Sequence, residues 1–324
     1  IENGERRLKY LFTLGKYDYY DILHLRYYPG LYDTVSALLA SAFPRNFYYE
    51  GYYIINFLTG LLGIFGLKKV IKSFFGTTVS KIFFIISMFS PIYFGHLAIN
   101  PKDTIIATAN FWILYYVIKY LKSENVTLRK DISIKMGLFV GLGAGVRILF
   151  LGTLIPIIFF LFVEIFFIKK ISKKINFQSF LFHIFLIIFI AYTLLILCWP
   201  NTHNNIIWDP FIIFFQSLND SSQGVQLSYF IGKFYHTSNT PWNYIPLNLF
   251  YKIPVFYLII FLLGIIHLRE INKCVFKNSN FFYYSNISLF FLCMPVVIAI
   301  FLNLKIHDGL RYFVYLIPLF NIIP

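Results

Sequence analysis

The sequence predicts an all-α polytopic membrane protein, and three observations carry that prediction. Of 324 residues 58% are hydrophobic and 13% charged, whereas a soluble chain keeps roughly a quarter of its residues charged to cover its surface. The apolar residues gather into long runs such as FFIISMF and IIFFLFVEIFFI, in which nothing alternates. Backbone in hydrocarbon has to satisfy its own hydrogen bonds, so continuous runs read as helices, while a transmembrane barrel would show alternating segments of about 10 residues. Third, the cations cluster in particular loops, as the positive-inside rule requires of cytoplasmic ones.

In chain order the apolar runs are Tyr52–Leu67, Ile82–Ile99, Thr104–Ile118, Met136–Ile168, Phe180–Trp199, Pro254–Leu268, Phe281–Leu304 and Tyr312 to the end. The fourth begins and ends at basic loops, so it crosses an even number of times. Two full crossings need about 40 residues and this run has 33, which predicts a pair of shortened or re-entrant helices turning near the outer face. Gly141, Gly143, Gly145 and Gly152 suit close packing and the turn. Counting that pair as two gives about nine visible transmembrane helices. Two long polar segments, about 1–51 and 200–253, are expected outside. The chain starts at Ile1 and stops within an apolar run, and is read as a fragment of a longer transmembrane domain, with its first membrane helix and C-terminal part expected beyond these ends.

The net charge of +14 follows from topology. Loops around Lys69, Lys130, Lys173 and Lys273 hold 16 cations and three acids, and the external parts hold 12 cations and ten acids. The basic excess therefore orients the protein in a membrane and implies no nucleic-acid partner. Cys198, Cys274 and Cys293 show neither paired spacing nor neighbouring histidines, so they predict no disulfide framework and no zinc site.

Ionisable groups at the ends of apolar helices are the candidates for chemistry, because charge in a membrane is costly to keep. In GHLAINPKD, His96, Lys102 and Asp103 crowd one short turn. Asp103 reads either as a helix cap or as part of an anion or metal site. KIHDGLRY places His307, Asp308 and Arg311 in another external turn, and an Arg fork suits a phosphate. Arg147, in a Gly-rich apolar pair, is expected to face a cavity or ligand, or to pair with Glu164. The amino-terminal segment holds Asp18, Asp21, His24, Arg26, Asp33 and Glu50, with LRYYPGLYDTVSALLASAF reading as an interfacial helix. TPWNYIPLNLFYKIP, with Trp242 and Tyr244, reads as an aromatic belt or an acceptor platform.

The order of these features resembles the GT-C polytopic glycosyltransferases of the dolichyl-phosphate-mannose protein mannosyltransferase and lipid A aminoarabinose transferase type. SPIYFGHLAINPKDTIIATANFWILYYVIKYLK is similar to that group's third and fourth helices, GLFVGLGAGVRILFLGTLIPIIFF to its Gly-rich pair, TPWNYIPLNLFYKIP to an external segment, and DGLRYFVYLIP to a later helix. The resemblance implies transfer of a sugar from a polyprenyl-phosphate donor to a protein, lipid or glycan acceptor on the external side, with membrane lipids as further partners. It implies Asp103 as a catalytic carboxylate, Lys102, Arg26, Arg147 and Arg311 as phosphate or donor contacts, and His96, His307, Asp308, Trp242 and Tyr244 as donor or acceptor contacts. No cofactor is certain, and a divalent metal stays open. The membrane is the plasma membrane if the source is bacterial and the endoplasmic reticulum if it is eukaryotic. The family's catalytic acid belongs after its first membrane helix, here expected before Ile1. Arg26 keeps the cation of the acidic-Lys-Pro motif without its acid. A secondary transporter or a lipid flippase is the rival reading.

Overall fold

The computed structural model describes the chain except residues 1, 18–24, 174, 220–226, 237–238, 278, 303–310 and 323–324. It divides into two units, Ile1–Gly63 with Leu97–Gln223, and Ile64–His96 with Gly224–Pro324.

In the first unit α1 (Glu2–Phe12) and α2 (Leu31–Ala40) pack together, and α3 (Tyr48–Phe75) begins here before running on into the second unit. The expected interfacial helix is α2, which buries Leu31, Tyr32, Ala37 and Ala40 and exposes Val35, Leu38 and Leu39. Next come α6 (Asp103–Lys122), α7 (Val126–Val146), α8 (Phe150–Thr153), α9 (Ile155–Val163) continuing as a wider turn to Ile168, α10 (Phe177–Leu197) and α11 (Asp209–Asn219). In sequence α3 is followed by α4 (Thr77–Met88) and α5 (Pro91–Ile99), which belong to the second unit up to His96 and form one broken run with a 66° bend.

The centre of the first unit is α6, 83% buried over its apolar window. Its polar side chains fasten it to α3: Thr108 donates to the Thr59 carbonyl at 3.0 Å and the Trp112 indole to the Leu62 carbonyl at 3.0 Å. On α7, Gly137 and Gly141 lie against Ile190 and Leu194 of α10, where any added Cβ would collide. That small-xxx-small spacing lets two helices approach closely where lipid supplies no hydrophobic drive. Asn56 is fully buried on α3, and its Nδ2 donates to the Leu97 and Ala98 carbonyls at 2.7 and 2.8 Å. It thereby satisfies carbonyls that a helix end would otherwise orphan.

Elements of the second unit include β1 (Leu227–Phe230) and β2 (Lys233–His236), paired antiparallel through a left-handed Ile231–Gly232 turn. This hairpin, in the long external segment, departs from the all-α expectation. It is followed by α12 (Tyr244–Lys252), α13 (Val255–Ile266), α14 (Leu268–Ile271), α15 (Phe281–Phe301) and a 3-10 segment, Arg311–Ile322. Phe74 stacks on Tyr284 at 4.5 Å, and Asn321 reaches the Ser87 hydroxyl at 3.2 Å.

Among the described residues five helices are long and apolar enough to cross a bilayer, or seven if each bent pair is one span. The protein is therefore an α-helical, multi-pass integral membrane protein. Two of the nine expected crossings lie outside that set: α7, whose first half carries Arg129, Lys130, Asp131 and Lys135, and the residues from Tyr312, which form a 3-10 segment kinked at Phe313.

The shortened pair expected over 136–168 is corrected. α7 starts at Val126, with the Asn125 side chain accepting from the Thr127 and Leu128 amides, and has 21 residues. The return, Phe150–Ile168, has 19. The return is full length, while α7 owes its length to a basic first half that joins the helix instead of forming a loop. The Arg147–Glu164 pair is corrected too. Glu164 lies at the far end of the return from Arg147 and accepts the backbone amides of Ile171 and Ser172. Its charge is met by two N–H donors from the chain just beyond its own helix.

Candidate functional site

The first unit brings Lys102 and Arg147 together. Lys102 immediately precedes α6 and Arg147 immediately follows α7, so both lie at the end opposite the lysine-rich 119–135 stretch. Between them is Tyr28. The Lys102 Nζ lies 3.9 Å from the Tyr28 ring centroid, and the Arg147 guanidinium 5.6 Å from it with one nitrogen 3.4 Å from the hydroxyl.

Two fully buried side chains fix the backbone that carries Tyr28. Arg7 of α1 donates to the Tyr28 carbonyl at 2.8 Å, and the Trp199 indole donates to the Arg26 carbonyl at 2.8 Å. Gly30 makes room for this: its φ is +75°, and a Cβ there would fall on the Arg7 guanidinium. His203 continues the same wall, with Nε2 at 3.0 Å from the Ile196 carbonyl and Nδ1 at 3.3 Å from the Tyr10 hydroxyl.

Asp103 is buried, and its carboxylate accepts from the Asn100 Nδ2 at 3.0 Å while its amide donates to the Asn100 Oδ1 at 3.1 Å. This reciprocal pair closes the turn that leads into α6. It holds the turn that presents Lys102. Arg26 turns elsewhere, to the Tyr27 hydroxyl at 2.8 Å and Gln216 at 3.5 Å. Asp33 stands in the first turn of α2 beside Tyr32, whose hydroxyl pKa burial pushes up to about 12, with the Asp33 charge adding to the effect.

The other expected residues fall in the second unit or outside the described residues. Arg311 opens the 3-10 segment, Trp242 is exposed, Tyr244 is buried with its ring 5.0 Å from Phe230, and His96 is half-buried near the end of α5. His307 and Asp308, like Asp18, Asp21 and His24, lie outside the described residues. No group of three His, Cys, Asp or Glu side chains suited to a metal occurs among the described residues.

Tyr28, Arg7 and Trp199 are the members that the sequence reading did not single out, while Asn100 belongs to the GHLAINPKD turn that it did. The signal for Tyr28 was the run Tyr27, Tyr28, Pro29, Gly30, directly beside the Arg26 that was singled out. The fold and this site define a multi-pass helical membrane protein in which two cations meet one tyrosine ring at one end of its helices. No protein-family model, curated protein or solved structure matches the chain significantly.

Proposed function

We propose that the protein is a membrane glycosyltransferase with a GT-C-like bundle, moving a sugar from a polyprenyl-phosphate donor to a protein, lipid or glycan acceptor at the external face. The observation that supports this reading is the convergence of Lys102 and Arg147 on Tyr28. Lys102 has no carboxylate partner among the described residues and rests on an aromatic face, so its charge is available to an incoming anion. The site lies at a helix end, where a lipid-linked phosphate at the membrane surface would arrive.

The reaction asks little else of the protein. An acceptor hydroxyl attacks the anomeric carbon, the carbon–oxygen bond to the phosphate breaks with its electron pair leaving on that phosphate, and the hydroxyl proton passes to a carboxylate. Lys102 and Arg147 neutralise the departing phosphate, and a preorganised pair of cations is worth most where charge develops. Asp103 is the carboxylate of this turn, acting from behind Lys102. A divalent metal, if the reaction uses one, would be a further anion partner. The protein resides in the plasma membrane of a bacterium or the endoplasmic reticulum of a eukaryote.

The secondary-transporter reading keeps one observation of its own, the bent pairs at 66° and 108°, since broken helices line substrate paths. One experiment separates the two. Purified protein given a polyprenyl-phosphate sugar and an acceptor should release polyprenyl phosphate. Solute uptake driven by an ion gradient, with no donor turnover, would establish the transporter.

A further inference from the structure

At the lysine-rich end of the first unit α6, α7, α9 and α10 enclose a cavity of about 100 Å³, remote from Tyr28. Its walls are aliphatic, including Ile113, Val117, Val140 and Leu161, and several lining residues are only half-buried, so it opens sideways between helices. Apolar cavities of about 150 Å³ stay dry and hold hydrocarbon guests such as benzene. The exception to the apolar lining is a buried pair, Tyr120 and His183, hydrogen-bonded at 2.9 Å between the phenol oxygen and Nδ1. His183 is 3% exposed, and its Nε2 has no partner among the described residues.

The Arg129 guanidinium lies 5.4 Å from the Tyr120 ring centroid. With Tyr120 as the donor to Nδ1, the neutral imidazole carries its proton on Nε2. The apolar slot then has one N–H donor in its wall, on a side chain that is almost fully buried. His183 lies about 9 Å along the helix from Phe177 at 1.5 Å per residue, a depth near the boundary of headgroups and hydrocarbon.

Above that depth the rim is cationic. Lys122, Arg129, Lys130, Lys169, Lys170 and Lys173 stand against Glu124, Asp131 and Glu164, with Lys173 paired to Glu124 at 3.0 Å and Arg129 buried. The rim is also knitted together: Arg129 donates to the Ser123 carbonyl at 2.5 Å and the Lys173 carbonyl at 3.4 Å, and the Lys173 amide to the Leu121 carbonyl at 2.9 Å. A hydrocarbon slot, an ester-height N–H donor and a basic rim complement in order the chain, the carbonyl and the headgroup of one molecule.

We infer that this cavity is a binding site for an anionic glycerophospholipid of the cytoplasmic leaflet, its acyl chain between α6 and α10, its ester carbonyl on the His183 Nε2–H and its phosphate on the basic rim. The site stands apart from the proposed transfer reaction and needs no donor sugar.

The test uses the full chain in phosphatidylcholine vesicles containing a minor fraction of phosphatidylglycerol with a diazirine on its acyl chain. After irradiation the adducts should map to the cavity walls on α6, α7 and α10, about tenfold more than with a phosphatidylcholine probe. Ile184→Trp, which fills the slot from its half-buried wall, should cut labelling there about tenfold. His183→Phe should weaken it, and His183→Gln, which keeps an N–H, should restore part of it. Equal labelling by the two headgroups, adducts confined to other faces, or labelling unchanged in folded Ile184→Trp protein would each overturn the site. If Ile184→Trp does not fold, the wild-type map and the headgroup preference decide alone.

Discussion

Replacing Arg147 or Lys102 by Gln tests the reading of the Tyr28 site most directly. A donor phosphate seated over Tyr28 would come within about 4 Å of both cations, where each charge is worth about 4 kcal/mol at an effective dielectric of 20. Both side chains are half-exposed, so screening reduces this to the range of charge-assisted hydrogen bonds, about 1.5–3 kcal/mol. Each single variant should then lose roughly 10- to 150-fold in kcat/KM for the donor. The double variant should lose less than the product of the two, because both cations act on one phosphate. Arg147→Lys keeps the charge and loses the fork that reaches the Tyr28 hydroxyl, and should fall between wild type and Arg147→Gln. The assay is release of polyprenyl phosphate by purified, monodisperse protein over a donor titration, with exposed Lys252→Gln as the control. Turnover within about twofold of wild type in both folded single variants, against the range above, would refute a phosphate site at Tyr28.

Three further outcomes are expected. Asp103→Asn keeps the hydrogen bond to Asn100 and costs the fold under about 1 kcal/mol, so a fall in turnover of roughly 100-fold assigns a role to the charge and near-normal turnover leaves Asp103 as a member of the turn. Single cysteines at Lys130 and Trp242 should react from outside the cell only at Trp242, and the reverse pattern would invert the topology. Tyr32, its pKa raised from 10 to about 12, stays neutral in the folded protein while the unfolded chain ionises, so its contribution is full below pH 10 and lost as pH rises through 12. The phenolate absorbance of wild type minus Tyr32→Phe should rise near pH 12, and a rise near pH 10 would contradict the buried placement.

The helices were legible because lipid leaves few alternatives: apolar runs must be helical, α3 and α6 contain the runs expected, and α10 and α15 cover all but the last two or three residues of theirs. Boundaries were harder to read. Charged residues at the start of α7 looked like loop, yet a helix that is flanked by α6 and α10 extends its polar first turns beyond the hydrocarbon at no cost. Glu164 illustrates a second limit. The expense of its charge was legible, but its partners are backbone amides seven and eight residues away, which no side-chain pattern announces. Asn56 and Trp199 are likewise invisible to pattern, since each holds a carbonyl 41 or more residues distant.

The site divides along the same physical line. Lys102 and Arg147 were legible because a cation at a membrane helix end is costly and so conspicuous. What brings them to one point was not, because the floor is a neutral tyrosine held through its own backbone by Arg7 and Trp199. That division bears on function. A Lys–carboxylate pair would have to break before an anion could bind, leaving a carboxylate beside the ligand. A Lys resting on an aromatic face gives up only about 0.5–1 kcal/mol at an exposed position, and the ring stays behind as an apolar floor. The Tyr28 arrangement therefore keeps Lys102 localised and largely uncommitted, the condition in which its charge can stabilise an incoming phosphate.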